Sequence, residues 1–275
     1  MISGRTTLIA HLGYPTHTFT APMIYNPWFD RRGIDAVVVP MGVKADDYPV
    51  FLRLLFRLSN IHGALVTMPH KVTTAALLDE TSLAVKIAGS CNAILRRPDG
   101  SLYGDMFDGE GFARGVTRAG FDFAGTDCLV VGAGGVGSAI AAAIAPLRPG
   151  LLALFDIRRE AVEALAGRLL RHYPDLRVEL RDNDPAGYDL VVNATPIGMA
   201  DDDPLPFDAA RLDPGTFLGE VVLKGETPLV QAAVARGCRC ILGTDMLFEQ
   251  IPAYLEFFGY GTATPAELRQ VARIG

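Results

Sequence analysis

The sequence predicts an α/β fold in two domains, and three observations carry that prediction. The chain has 275 residues, more than the commonest single-domain size. Short runs rich in Val, Ile and Leu alternate with amphipathic stretches, the pattern of a mostly parallel sheet covered by helices. The alternation breaks once, at a hairpin signal around Pro98, and resumes after Phe121.

Composition narrows the functional classes. Hydrophobic residues make up 49% and charged residues 20%, enough apolar surface for a sizeable core and too much for a disordered chain. Lys and Arg number 25 against 31 Asp and Glu, a net charge of −6, which argues against a phosphate-backbone grip on nucleic acid. The longest apolar run, 136–147, is an alanine-rich dozen, a core helix by length rather than a membrane span. The N-terminal residues lack the layout of a signal peptide. Cys91, Cys128, Cys238 and Cys240 show no metal-ligand spacing and read as reduced core thiols. The expectation is a soluble cytoplasmic enzyme with no nucleic-acid or membrane partner and no metal, monomeric or homodimeric.

Each element follows in order. Residues 8–12, 36–39 and 64–67 read as buried strands. Between the last two, Val50, Phe51, Leu54, Leu55 and Leu58 recur at helical spacing and form one apolar stripe. Asp99-Gly100 sits between two short strand signals and predicts a hairpin. In the second half, strands at 128–131, 151–155, 177–180, 190–193, 217–222 and 240–242 interleave with helices at 136–147 and 159–172. Thr227-Pro228 supplies an N-cap and a first-position proline for a helix to Arg236, and the tail from Met246 reads as helical.

The segment Val131-Gly132-Ala133-Gly134-Gly135-Val136-Gly137 follows one predicted strand and opens a helix, so it satisfies G-x-G-x-x-G in the right context. The first glycine allows the tight turn, the second lets backbone approach a pyrophosphate, and the third lets helix pack on strand. The free N–H groups of the helix start then face the anion. This is the Rossmann signature of a dinucleotide-binding domain. Asp156 ends the next strand, nineteen residues past Gly137, where a carboxylate reaches the ribose hydroxyls of NAD. The same charge opposes the 2′-phosphate of NADP, while Arg158 and Arg159 attract it; NAD is favoured and NADP stays open.

Five further segments carry the chemistry, three of them in the first half. Val66-Thr67-Met68-Pro69-His70-Lys71 places a lysine beyond a strand end. Cys91-Asn92-Ala93 precedes the hairpin, and Gly104-Asp105-Met106-Phe107-Asp108-Gly109 follows it. Asn193-Ala194-Thr195-Pro196-Ile197-Gly198-Met199 and Gly243-Thr244-Asp245-Met246-Leu247-Phe248-Glu249-Gln250 lie farther on. In this order, over nearly the whole chain, they resemble the shikimate/quinate dehydrogenase family, with its V-T-x-P-x-K, G-D-N-T-D-G, N-A-T-x-x-G-M and G-x-x-M-L-x-x-Q motifs. The resemblance implies an NAD(P)-dependent oxidoreductase interconverting the ring alcohol and ketone of a shikimate- or quinate-like cyclic hydroxy acid, in aromatic amino acid biosynthesis. It implies Lys71 and Asp105 as the proton-transfer pair, with Thr18, Thr20, Thr67, Asn92 and Gln250 around the substrate. Gly132, Gly134, Gly135, Val136, Gly137, Asp156, Arg158, Asn193, Thr195 and Gly243 would hold the nucleotide. The implied division is 1–107 for substrate and catalysis, 108–243 for NAD(P), and 244–275 as helices returning to the first domain.

The sequence departs from the family pattern around the substrate. Where the family places two serines that hold the substrate carboxylate, an ungapped alignment from Gly13 to Pro22 gives Phe19 and Ala21, and a one-residue shift gives Thr18 and Thr20. Leu65 replaces an asparagine, Met106 and Phe107 replace Asn-Thr, and a tyrosine expected near Val222 and Leu223 is absent, with Lys224 close by. These changes make the implied pocket more apolar, and exchanging polar contacts alters what a site accepts. Two other readings compete: a dehydrogenase of the methylene-tetrahydrofolate type, and a non-catalytic dinucleotide sensor. His17 and His70 fall near the implied pocket, whereas His11, His62 and His172 read as structural or surface residues.

Overall fold

Two six-stranded sheets organise the chain, and the computed structural model describes residues 2–274. In the first half β1 (Thr7–Gly13), α1 (Pro22–Arg32), β2 (Ala36–Gly42), α2 (Tyr48–Leu55), β3 (Ile61–Val66) and α3 (Lys71–Ala75) alternate. β4 (Glu80–Thr81), α4 (Leu83–Ala88), β5 (Ala93–Arg96) and β6 (Leu102–Asp105) follow. The sheet order is β2-β1-β3-β5-β6-β4. β1 pairs parallel with β2 and β3, whereas β5 runs antiparallel to β3 and to β6 across the Asp99-Gly100 turn.

The second half holds α5 (Asp108–Arg118), β7 (Asp127–Val131), α6 (Gly135–Ile144), β8 (Leu151–Phe155), α7 (Arg159–His172), β9 (Val178–Leu180) and β10 (Leu190–Asn193). β11 (Phe217–Glu220), α8 (Pro228–Ala235), β12 (Arg239–Ile241), α9 (Gly243–Phe257) and α10 (Pro265–Val271) complete it. Its sheet is parallel throughout, in the order β12-β11-β10-β7-β8-β9. Strand order therefore reverses between β7 and β10, and open α/β sheets bind ligands beyond the carboxyl ends of strands at such a point. Val131 and Leu129 of β7, Ala153 of β8 and Val191 of β10 pack with Leu229, Val230 and Ala233 of α8 in one buried cluster.

The chain divides into two compact units, residues up to Phe107 with those from Ile251, and Asp108 to Gln250. The division falls inside α9, later than the 243/244 boundary drawn from sequence. The start of α9 packs on α5: a Cβ on Gly111 would lie 2.6 Å from Gln250 Cβ and 2.8 Å from the Met246 carbonyl. The end of the same helix belongs with the first unit, where the Tyr254 hydroxyl donates to the Asn92 carbonyl and Phe257 packs edge-on to Phe107.

Two local expectations are corrected. On α2 the buried residues are Tyr48, Leu52 and Leu55, whereas Val50 and Leu54 face solvent, as does Leu58 beyond the end of the helix. Of the expected stripe Leu55 is buried and Phe51 half-buried; the helix is apolar on both sides, so periodicity alone placed the inner face only in part. β11 stops at Glu220 instead of Val222, because the Val222 N–H turns to the Glu220 side chain at 3.0 Å. No helix among the described residues is long and apolar enough to cross a membrane.

Candidate active site

In the first unit, the residues singled out from sequence gather around the ends of β3, β5 and β6. Lys71 opens α3 and is half-buried; its carbonyl accepts the Cys91 N–H at 2.8 Å. Next along, the Asn92 N–H donates to the Asp105 carbonyl at 3.0 Å, and the Asn92 carbonyl accepts from Val66 at 2.8 Å. Main-chain bonds thus tie together the segments bearing Lys71, Asn92 and Asp105. The Asn92 side chain is buried, and its Oδ1 accepts the Phe107 N–H at 2.9 Å. Asp105 Oδ1 accepts from Ser82 Oγ at 2.5 Å and from Met106 N at 2.7 Å, which fixes the carboxylate. The buried Cys91 thiol feels both charges: burial pushes it up to about 12, Asp105 adds to the shift and Lys71 opposes it.

Thr67 lies just past β3, half-buried, with its N–H on the Leu12 carbonyl at 2.8 Å. Thr18 is exposed on a short 3-10 turn and Thr20 is half-buried; between them Phe19 turns inward and stacks on His11 at 4.1 Å. His11, read from sequence as structural or surface, is buried in β1 beside Lys71. Burial and then the Lys71 charge lower its pKa to about 4. A lone polar residue inside an apolar strand was the available signal. His70 is turned away: its Nε2 meets the Val43 carbonyl at 2.9 Å and its ring stacks on Tyr48 at 3.9 Å.

In the second unit, the glycine turn joins β7 to α6. Gly132 has φ +106°, and a Cβ there would strike the Ala194 carbonyl; one on Gly137 would lie 1.8 Å from the Gly132 oxygen. Gly134, the N-cap of α6, has nothing within 4 Å of a would-be Cβ, leaving room over the N–H groups of Gly135, Val136 and Gly137. An anion fits this helix start. Asp156 follows β8, and beside it a groove at the ends of β8 and β9 is lined by Phe155, Asp156, Arg159, Leu180, Arg181 and Asp182. Gly243, which opens α9, sits where any Cβ would strike the Val221 and Val222 carbonyls.

Asn193 ends β10 at the same point of strand reversal. Its Oδ1 accepts from the Thr195 N–H and hydroxyl, at 3.1 and 2.7 Å, and its Nδ2 donates to the Ile197 carbonyl. Sequence reading missed what holds it. Glu220, 1% exposed, accepts from Asn193 Nδ2, Val222 N and Thr227 Oγ1 at 3.0–3.2 Å. Burial raises the Glu220 pKa against these bonds. A carboxylate inside the apolar run 217–223 was the signal. Lys224 pairs with Asp201, and Asp203 accepts the N–H groups of Gly198 and Ala200, so the acidic loop is tied down rather than free. Gln250 lies on α9 with its Oε1 buried and without a partner.

A parallel sheet with this strand reversal, a glycine turn open to a pyrophosphate, and a lysine–carboxylate set in a separate α/β unit define the class: a two-unit, nicotinamide-dinucleotide-dependent oxidoreductase. The model of the shikimate dehydrogenase substrate-binding domain matches residues 12–94. Shikimate dehydrogenase (NADP(+)) of Acidiphilium cryptum is 34% identical over 94% of this chain and 93% of its own length. The enzyme of the same name from Rubrobacter xylanophilus is 36% identical over 90% and 89%. The chain belongs to the shikimate dehydrogenase family. Its fold matches shikimate 5-dehydrogenase of Listeria monocytogenes, solved with shikimate and NAD, with a TM-score of 0.89, 25% identity and coverage of 98% of this chain and 97% of that one.

The preference for NAD drawn from Asp156 finds no support. Both Asp156 oxygens are engaged by the chain itself, Oδ2 by Ala133 N at 2.7 Å and Oδ1 by Arg158 N at 2.9 Å and Arg158 Nε at 3.4 Å. The Arg158 guanidinium offsets the charge that was set against a 2′-phosphate, and the two curated relatives are named for NADP(+).

Proposed function

We propose that the protein interconverts the ring alcohol and ketone of a shikimate- or quinate-like compound with NAD(P), the first unit holding the substrate and the second the nucleotide. The observation that carries this reading is the main-chain tie between the Lys71, Asn92 and Asp105 segments at the ends of one sheet. In the oxidising direction Lys71 takes the proton of the ring hydroxyl, and in reduction it returns that proton to the oxygen. Asp105, held by Ser82 and Met106, sets the charge beside Lys71. Thr67 and Asn92, with Thr18 and Thr20, are assigned to the substrate hydroxyls. When bound, the nicotinamide ring supplies the hydride acceptor or donor.

The second unit's contribution is positioning. The N–H groups at the start of α6 hold the pyrophosphate and Gly134 leaves it space, while Asn193 and Thr195, locked by Glu220, shape the loop after β10. Of the two nucleotides we infer NADP, with Arg158 and Arg159 next to Asp156 and Arg181 across the groove as cations for its 2′-phosphate.

Lys71→Ala tests the reading. Turnover of shikimate or quinate should fall by about 10²–10⁴-fold, the usual worth of a positioned proton-transfer group, with nucleotide affinity unchanged in a fluorescence titration. Turnover within threefold of the parent would remove Lys71 from the chemistry.

A further inference from the structure

The carboxyl end of β1 carries a pair of rings that no assigned role uses. His11 is 8% exposed, and its Nδ1 is buried without a hydrogen-bond partner. A buried nitrogen with no partner costs least as a bare lone pair on a neutral ring, so the ring proton belongs on Nε2. The ring lies against Phe19, centroids 4.1 Å apart and planes 29° from parallel. Phe19 in turn reaches over Gly13 to the Thr67 turn. A Cβ on Gly13 would fall 2.7 Å from Phe19 Cζ, 2.4 Å from Thr67 Cγ2 and 2.8 Å from the Met68 carbonyl. Gly13 is therefore the gap that admits Phe19 between β1 and the loop leading to Lys71.

Two charge facts complete the setting. His11 stays neutral down to about pH 4, through burial and the neighbouring Lys71, so it offers no cation at working pH. Lys71, the cation in reach, is committed to the reacting hydroxyl under the function proposed above. The negative face of an aromatic ring repels an anion, and a carboxylate moved out of water without donors is strongly disfavoured. A site without a bonded partner for a group also discriminates little in its favour.

We propose that His11 and Phe19 form an uncharged aromatic wall of the substrate site, against which a substrate lays a neutral part of its ring, and that the protein gains no selectivity from a free carboxylate there. The substrate class is a cyclic polyol in which the carboxyl is absent, esterified or turned to solvent. This rests on the functional reading above, since Thr67 and Lys71 locate the wall.

The test compares shikimate with its neutral methyl ester in the full-length protein, by kcat/KM with NADP and with NAD. The acid should exceed the ester by no more than fivefold. Phe19→Ser, which puts a hydroxyl donor in the wall, should raise the acid-to-ester ratio at least fivefold, and Phe19→Thr serves if the serine variant fails to fold. His11→Phe should leave the ratio within twofold. An acid preference above fivefold in the parent, an unmoved ratio in the folded Phe19 variant, or a ratio shifted more than fivefold by His11→Phe each overturns the wall. Turnover of neither compound, with nucleotide binding intact, would instead break the functional reading itself.

Discussion

The two units solve their binding problems with different material. The anion site proposed for the second is made of backbone, a glycine turn and the start of α6, where the side chain that matters at Gly132 and Gly137 is its absence. The site proposed for the first is made of side chains, Lys71, Asn92, Asp105, Thr67, His11 and Phe19, carried on separate elements, and main-chain bonds tie the Lys71, Asn92 and Asp105 segments. A backbone site tolerates almost no change at its glycines and leaves a spaced motif. A side-chain site can exchange one contact at a time while the strands stay as they are. Four departures from the family pattern, at Phe19, Leu65, Met106 and Phe107, fall in the first unit, and one, the tyrosine absent near Val222 and Leu223, falls in the second.

Gly137→Ala should have the largest effect on this contrast. Its Cβ would lie 1.8 Å from the Gly132 oxygen, a backbone atom that yields only if the turn opens. Nucleotide affinity should drop by more than tenfold and the second unit should lose about 1–3 kcal/mol, the usual cost of overpacking. Gly134→Ala, whose Cβ meets nothing within 4 Å, should weaken the nucleotide without unfolding anything. Equal stability losses in the two variants would break the account of the turn.

The first unit has its own probe, because Trp28, the single tryptophan, is buried in α1. His11 has its pKa lowered to about 4, while the unfolded chain takes that proton near 6.5. Between those values protons favour the unfolded state, so stability is full above pH 6.5 and is lost as pH falls towards 4. The difference amounts to about 3 kcal/mol at most. Urea unfolding followed by Trp28 fluorescence should lose about 2 kcal/mol more between pH 7.5 and 4.5 in the parent than in His11→Phe. Parallel losses would show that His11 is already solvated in the native unit.

What was legible in the sequence follows the same division. The strands and helices of the second sheet were readable because a buried parallel strand is a short Val/Ile/Leu run and each helix has one apolar face; α7 was read to its ends. In the first unit α1 carries Pro27 and a mixed surface, and β4 is two residues defined by its pairing with β6, so neither leaves a periodic trace. Lys71 and Asp105 were singled out through resemblance, since nothing in spacing shows that segments so far apart are tied together through Cys91 and Asn92. His11 and Glu220 were passed over because a single polar residue in an apolar run has no period; its meaning comes from the neighbours that bury it. Periodicity also failed in part on α2, where it found Leu55 but only packing decides that Tyr48 and Leu52 go inside as well.

The smallest expected effect concerns the one place where the backbone-made site relies on charge. Asp156 is largely buried and three hydrogen bonds hold its carboxylate, two from main-chain N–H groups; these bonds and the Arg158 charge keep it below the usual carboxylate range despite burial. Arg158 and Arg159 are 60% and 81% exposed, so a 2′-phosphate there meets solvent-screened cations, each worth about 1 kcal/mol or less. Arg158→Ala should therefore raise the KM for NADP by about three- to fivefold and leave that for NAD within twofold. Removing Arg158 also uncovers the Asp156 charge, so both changes act against the phosphate and neither acts against a free ribose. An equal loss for the two nucleotides would mean that Arg158 serves only to fix Asp156, and the preference for NADP would then have to come from Arg159 and Arg181 across the groove.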